Sequence, residues 1–161
     1  MFATPSRVET PFAVVSNESF YAQNSVPSGW RKIDANGKFI FYLPPGMRDT
    51  GISSLEGFHK EYSNGRLHLS FDHEPMDILA YSNRTVAFGK NFQETELQVD
   101  GRKSYLFVYQ GLDRKKRRTY NADLYVGDLP NGHSVLHMWV TSRSAQNVET
   151  AKMIFQTIEF P

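Results

Sequence analysis

Four dipeptides of the Asn-Gly or Asp-Gly type constrain this chain most: Asn36-Gly37, Asn64-Gly65, Asp100-Gly101 and Asn131-Gly132. Such pairs favour the tight turns whose central residues need positive φ, and those turns join antiparallel strands. Each pair here lies between runs rich in β-branched and aromatic residues. The chain is therefore expected to be built from hairpins: 30–34 with 38–43, 58–63 with 66–73, 93–99 with 102–112, and 119–129 with 133–141. Pro44-Pro45-Gly46 stops the second strand.

The faces of these hairpins follow from the period of two. With a two-residue turn at Asn64-Gly65, Phe58 meets Phe71 and Tyr62 meets Leu67 on an apolar face that also carries Lys60. His59, Glu61, His68, Ser70 and Asp72 share the other. With a three-residue loop at 130–132, Val126 faces Leu136, Leu124 faces Met138 and Ala122 faces Val140. Tyr125 then opposes His137, and Asp123 opposes Trp139. The run Tyr105-Leu106-Phe107-Val108-Tyr109 is apolar on both faces. It belongs in the middle of a sheet covered on both sides.

A single helix pattern closes the chain. Ser144 is placed to cap it, Val148, Ala151, Ile154 and Phe155 form its stripe, and Ile158 and Phe160 end the chain as a short strand. Residues 76–91 read equally as helix or loop. The first 28 residues, interrupted by Pro5, Pro11 and Pro27, read as an irregular arm. The expectation is one α+β domain over 29–161 around a central antiparallel sheet. At 161 residues the core is large enough to need no staple, and the chain has no cysteine to make one. Residues 1–28 lack the basic and apolar regions of a signal peptide, and no apolar run approaches the 18 or so residues of a membrane span.

The order of these parts resembles the PsbP-like family, which includes the photosystem II accessory protein PsbP and the Ran-binding protein Mog. The likeness covers about residues 29–161. It is carried first by the 119–141 hairpin followed by Ala145-Gln146-Asn147-Val148-Glu149-Thr150-Ala151-Lys152-Met153-Ile154-Phe155 and the closing 156–160, then by the opening from Trp30 to Pro45. The resemblance implies an α/β/α sandwich with helices on both sheet faces. The second cover would come from 49–57, 76–91 or the arm. It also implies a non-enzymatic role in binding a partner or assisting a complex, and marks no residue of this chain as functional.

Three groups of residues remain as candidate sites. His59, His68 and Asp72 on the 58–73 hairpin, with Glu61 beside them, offer nitrogen and oxygen donors of the kind divalent metals take. The plainer alternative is a solvated strand face with cross-strand hydrogen bonds. Asp123, Tyr125, His137 and Trp139 would line a pocket or interface, or pack under a covering element. Arg114, Lys115, Lys116, Arg117 and Arg118 form a basic tip suited to a partner's acidic surface or to phosphates; otherwise they solvate a hairpin end and guard its edge. With 18 basic against 17 acidic residues the net charge is only +1, and no aromatics interleave with the basic run, so nucleic acid is not the expected partner. Glycine-rich phosphate loops and a G-x-S-x-G elbow are lacking. Asn17-Glu18-Ser19 and Asn83-Arg84-Thr85 fit the glycosylation acceptor pattern. The expected function is a non-catalytic protein-binding or accessory role without a cofactor. The alternatives are a small-molecule or metal binder centred on 58–73, and nucleic-acid contact at 114–118.

Overall fold

Six consecutive residues, 121–126, are buried, and their strand organises the fold. A computed structural model describes residues 25–52, 58–73, 76–77, 90–127 and 133–161. The strands are β1 (Arg31–Asp34), β2 (Ile40–Leu43), β3 (Arg48–Asp49), β4 (Phe58–Ser63), β5 (Leu67–His73), β6 (Met76–Asp77), β7 (Lys90–Val99), β8 (Arg102–Leu112), β9 (Arg118–Val126), β10 (His133–Ser134) and β11 (Leu136–Ser142), followed by helix α1 (Gln146–Gln156). Seven strands form an antiparallel sheet in the order β3-β4-β5-β11-β9-β8-β7, and β1-β2 and β10-β6 form separate ribbons.

One face of the large sheet carries the apolar core. Ala122, Leu124 and Val126 of β9 join Met138 and Val140 of β11, Leu69 and Phe71 of β5, and Leu106 and Val108 of β8. Helix α1 packs across β9, β11 and β2 on this side, burying Val148, Ala151, Ile154 and Phe155 as their spacing predicts. The β1–β2 ribbon adds Ile33, Phe39, Phe41 and Leu43 to the same cluster. The chain end ties this layer together. Tyr42 N donates to Thr157 Oγ1 at 2.9 Å, residues 40 and 159 form a bridge, and Phe160 N donates to Asp100 Oδ2.

Two of the four turns form as read. Asn36 and Gly37 have φ of 53° and 70°, and Asp100 and Gly101 have 48° and 74°, the paired positive values that tight turns need; Asp100-Gly101 closes a two-residue loop with Val99 opposite Arg102, whereas Asp34 opposite Ile40 leaves residues 35–39 around the Asn36-Gly37 turn. The β9–β11 register matches the expected one, Val126 opposite Leu136 through Ala122 opposite Val140. Its 130–132 turn lies outside the described residues. So do most of the arm, both glycosylation patterns and residues 78–89; residues 76–77 are strand.

Five expectations are corrected. The β4–β5 register is shifted by two, with Tyr62 opposite Leu69 and Phe58 opposite His73. The Asn64 side chain accepts hydrogen bonds from the N–H groups of Arg66 and Leu67, which opens the loop beyond two residues. The shift is even, so every side chain keeps its face. Segment 105–109 is two-sided as read, yet β8 lies next to the edge strand β7 rather than mid-sheet. Ser144 does not cap α1. Ser142 organises that corner: its hydroxyl donates to Arg66 O and accepts from Ser144 N and Asn147 Nδ2. The strand expected over 133–141 breaks at Val135, and β10 turns aside to pair with β6. A sandwich with helices on both faces is not what the described residues form: α1 is the one helix among them.

Phe41 is fully buried, edge-on to Tyr62 and Phe71 and stacked near Phe39. Phe41→Ala is expected to lower unfolding stability by about 3–5 kcal/mol in urea titrations; a loss below about 1 kcal/mol would place Phe41 outside the core.

Candidate functional site

The opposite face of the sheet unites two groups of residues that lie far apart in sequence. In β9, Asn121, Asp123 and Tyr125 alternate with the apolar residues above, so they point away from α1. Pairing across the strands then sets two rows side by side. One runs Tyr105, Tyr125, His137, Asp72, His59; the other Phe107, Asp123, Trp139, Ser70, Glu61. The 58–73 and 119–141 candidate groups thus form one band, joined by the β5–β11 pairing.

Aromatic rings fill the middle of the band. Tyr125 stacks on His137 at 4.2 Å and 5° between planes, His137 stacks on Trp139 at 4.4 Å, and Trp139 lies 5.8 Å from His59. Phe107 meets Tyr125 edge-on and stacks with Phe92. Asp123, Tyr125 and His137 are each at most 1% exposed. Burial raises the Asp123 carboxyl to about 7, a shift opposed by the Tyr109 hydroxyl, which donates to Oδ2 at 3.3 Å. Burial also lowers His137 to about 3, so its ring is neutral at physiological pH. Its Nε2 lies 4.0 Å from Asp123 Oδ2, beyond hydrogen-bond range.

Towards β4 the band opens to water and becomes charged. His59 Nδ1 meets Asp72 Oδ1 at 2.5 Å, His59 Nε2 meets Glu61 Oε1 at 3.1 Å, and His68 Nε2 meets Glu61 Oε2 at 3.2 Å. Ionised carboxylates only accept, so a histidine bonded to two of them donates from both nitrogens and is an imidazolium. Burial lowers the pKa of His59, but its bonds to Asp72 and Glu61 outweigh that and raise it. The candidate metal ligands His59, His68 and Asp72 are therefore brought into one chain with Glu61, joined by the two His59 hydrogen bonds and the His68–Glu61 ion pair. Among the described residues no group of three or more His, Cys, Asp or Glu side chains is arranged to hold a metal ion.

The basic tip is a separate feature at one end of the sheet. Asp113 Oδ1 accepts from the N–H groups of Lys115 and Arg117, while Oδ2 accepts from Arg117 Nε and is paired with Arg117 Nη2 at 2.8 Å and Arg143 Nη2 at 3.3 Å. The Arg117 backbone bond leads in holding the Asp113 carboxyl below its usual range. All five cations are exposed. Among the described residues no carboxylate pairs with Arg114, Lys115 or Lys116. Sequence reasoning missed three parts of these sites: Tyr109 as the donor to Asp123, Asp113 as the lock of the tip, and Arg66 and Arg143 as its neighbours. The Asp-Arg-Lys-Lys-Arg pattern itself signalled the lock, since an aspartate opening a turn commonly captures N–H groups two residues on.

No family model matches the sequence, and no curated protein matches it. Among solved structures, the Ran-binding protein Mog1p of Saccharomyces cerevisiae aligns over 82% of this chain and 95% of its own, at 8% identity and a TM-score of 0.51. A cyanobacterial PsbP from Synechocystis aligns over 86% and 98%, at 11% identity and a TM-score of 0.47. This chain shares the fold of Mog1p, so the likeness to the PsbP-like family read from the sequence holds at the level of architecture.

The two buried ionisable groups set opposing pH slopes. Asp123 favours the fold as a neutral acid, and that contribution fades as pH rises from 3.8 through about 7. His137 favours the fold when neutral, and that contribution fades as pH falls from 6.5 towards about 3. His59 adds stability below 6.5 that is lost as pH climbs through its higher folded value. Asp123→Asn removes the first of these slopes alone. Between roughly pH 4.5 and 6.5, the variant's stability is expected to change with pH more positively than the parent's by about 1.4 kcal/mol per unit in urea denaturation. Parallel profiles would mean that Asp123 is ionised in the folded protein.

Proposed function

We propose that this chain is a non-catalytic binding protein that recognises a protein partner through the β8–β9 tip. The observation that carries the reading is the locked geometry of that tip. Asp113 ties residues 113–117 together through two backbone N–H groups and the Arg117 side chain. Arg114, Lys115 and Lys116 are left exposed on a loop of defined shape. A loop ordered before association loses less conformational entropy on docking, and single-sign charge speeds encounter with a complementary surface. The shared fold with a protein that binds Ran is consistent with a protein-binding role.

The histidine chain on the second face supports the non-catalytic part. Both ring nitrogens of His59 are engaged by carboxylates, so neither is presented to a substrate. A general base needs a free nitrogen within reach of the proton it takes.

Amine-reactive cross-linking in extracts of the protein's own cells, with mapped linkage sites, tests the reading. One protein is expected to link through Lys115 or Lys116. Lys115→Glu with Lys116→Glu should weaken that complex about tenfold or more while leaving thermal unfolding unchanged. A complex that survives the reversal, or links scattered over the surface, would refute the tip as the docking site.

A further inference from the structure

Beside the tip, the β4–β5 turn, the β8–β9 turn and the end of β11 enclose a cleft of about 170 Å³ that is open to solvent. At ~30 Å³ for each water in the liquid, it has room for five or six waters or one small oxyanion group. Its polar floor is committed internally. The Ser142 hydroxyl makes three hydrogen bonds, and Thr141 donates to Asn121, which donates to Thr119. The one carboxylate lining it, Asp113, is shared among two backbone N–H groups, Arg117 and Arg143. His68, also at the wall, points Nε2 at Glu61.

The donors left over are guanidinium groups. Among the described residues the Arg66 side chain makes no hydrogen bond or ion pair, and Arg143 has one contact, to Asp113, out of five N–H donors. A guanidinium presents two parallel N–H groups to a carboxylate in a planar fork. The unpaired cations Arg114, Lys115 and Lys116 lie on the adjoining turn. No Phe, Tyr or Trp lines the cleft, so it lacks the broad aromatic platforms on which nucleobases usually stack.

We propose that this cleft anchors a carboxylate side chain from an acidic segment of the protein partner, held between Arg66 and Arg143. The inference rests on the β8–β9 tip being the docking end and names the chemistry of what docks there. The tip supplies the attracting field, and the cleft supplies the directional contact.

The probe is a fluorescein-labelled peptide of about eight residues alternating Glu and Ser, followed by anisotropy at about 50 mM salt, where surface charge is weakly screened. The same peptide with Gln for Glu is the control. The Glu peptide is expected to bind and the Gln peptide not. Arg66→Ala and Arg143→Ala should each weaken binding about tenfold, while Lys38→Ala, in the distant β1–β2 turn, leaves it unchanged. Arg66→Lys keeps the charge but not the fork, and should lose most of what Arg66→Ala loses. If both Ala variants bind like the parent while Lys115→Glu with Lys116→Glu abolishes binding, the anchor is overturned and the protein-partner reading stands. Failure of the parent to bind the Glu peptide overturns the anchor too, with cross-linking left to judge the docking site. An RNA oligonucleotide of equal charge that binds more tightly than the Glu peptide would overturn the partner class.

Discussion

The register of β9 is the constraint on which the rest of the fold depends. Residues 121–126 are buried on both faces, with Ala122, Leu124 and Val126 against α1 and Asn121, Asp123 and Tyr125 on the other side. A slip of one residue would drive Asp123 into the apolar core and turn Leu124 onto the aromatic band. Burying a carboxyl there without a partner costs several kcal/mol. The strand therefore has one acceptable register, and its neighbours inherit theirs from it. Tyr105 must face Tyr125, and His137 must face Tyr125 from the other side.

The second face then grades from dry to wet across a few strands, and its chemistry grades with it. Under β9 and β11, where Asp123, Tyr125 and His137 are 1% exposed or less, burial favours neutral forms: it keeps His137 neutral at physiological pH and raises Asp123 to about 7. At β4 and β5 the side chains of His59, Glu61 and Asp72 are 15–34% exposed. There the charged forms are affordable because each is hydrogen-bonded to an opposite charge and still partly hydrated. The stacked rings of Tyr125, His137 and Trp139 separate the two regimes. The same residue type is thus held neutral at 137 by its depth and protonated at 59 by its carboxylate partners, against the opposing effect of burial.

The parts legible in the sequence are those governed by neighbours in the chain. Asp100-Gly101 and Asn36-Gly37 fixed their turns through backbone sterics, the α1 stripe followed from its period, and the β9–β11 register followed from alternation on both strands. The Asn64-Gly65 loop misled because the asparagine side chain competed for the N–H groups of Arg66 and Leu67, which a dipeptide rule does not weigh. Face assignment survived, since the error was even. The union of the two candidate groups was not legible. It comes from β5 pairing with β11, strands more than sixty residues apart with no shared turn, and only the packed core selects that partner. Arg66 and Arg143 converge for the same reason. The Arg66 carbonyl and the α1 corner are bonded through Ser142, a contact spanning 76 residues.

Asp113 explains how five adjacent cations become a shape rather than a fluctuating tail. A run of like charges repels itself and usually stays solvated and mobile. Here one carboxylate at the start of the run turns the chain back, with Lys116 in the left-handed region at φ 57° and Asp113 N bonded to Arg117 O. Arg117 turns back to pair with the acid while staying exposed, and Arg143, just past the end of β11, shares it. Arg114, Lys115 and Lys116 are left exposed on this turn, beside Arg66, whose guanidinium pairs with no carboxylate among the described residues. An arrangement that leaves positive donors on the rim, while Ser142, Thr141, Asn121 and Asp113 behind them are bonded to one another or to the backbone, is complementary to negative charge arriving from outside.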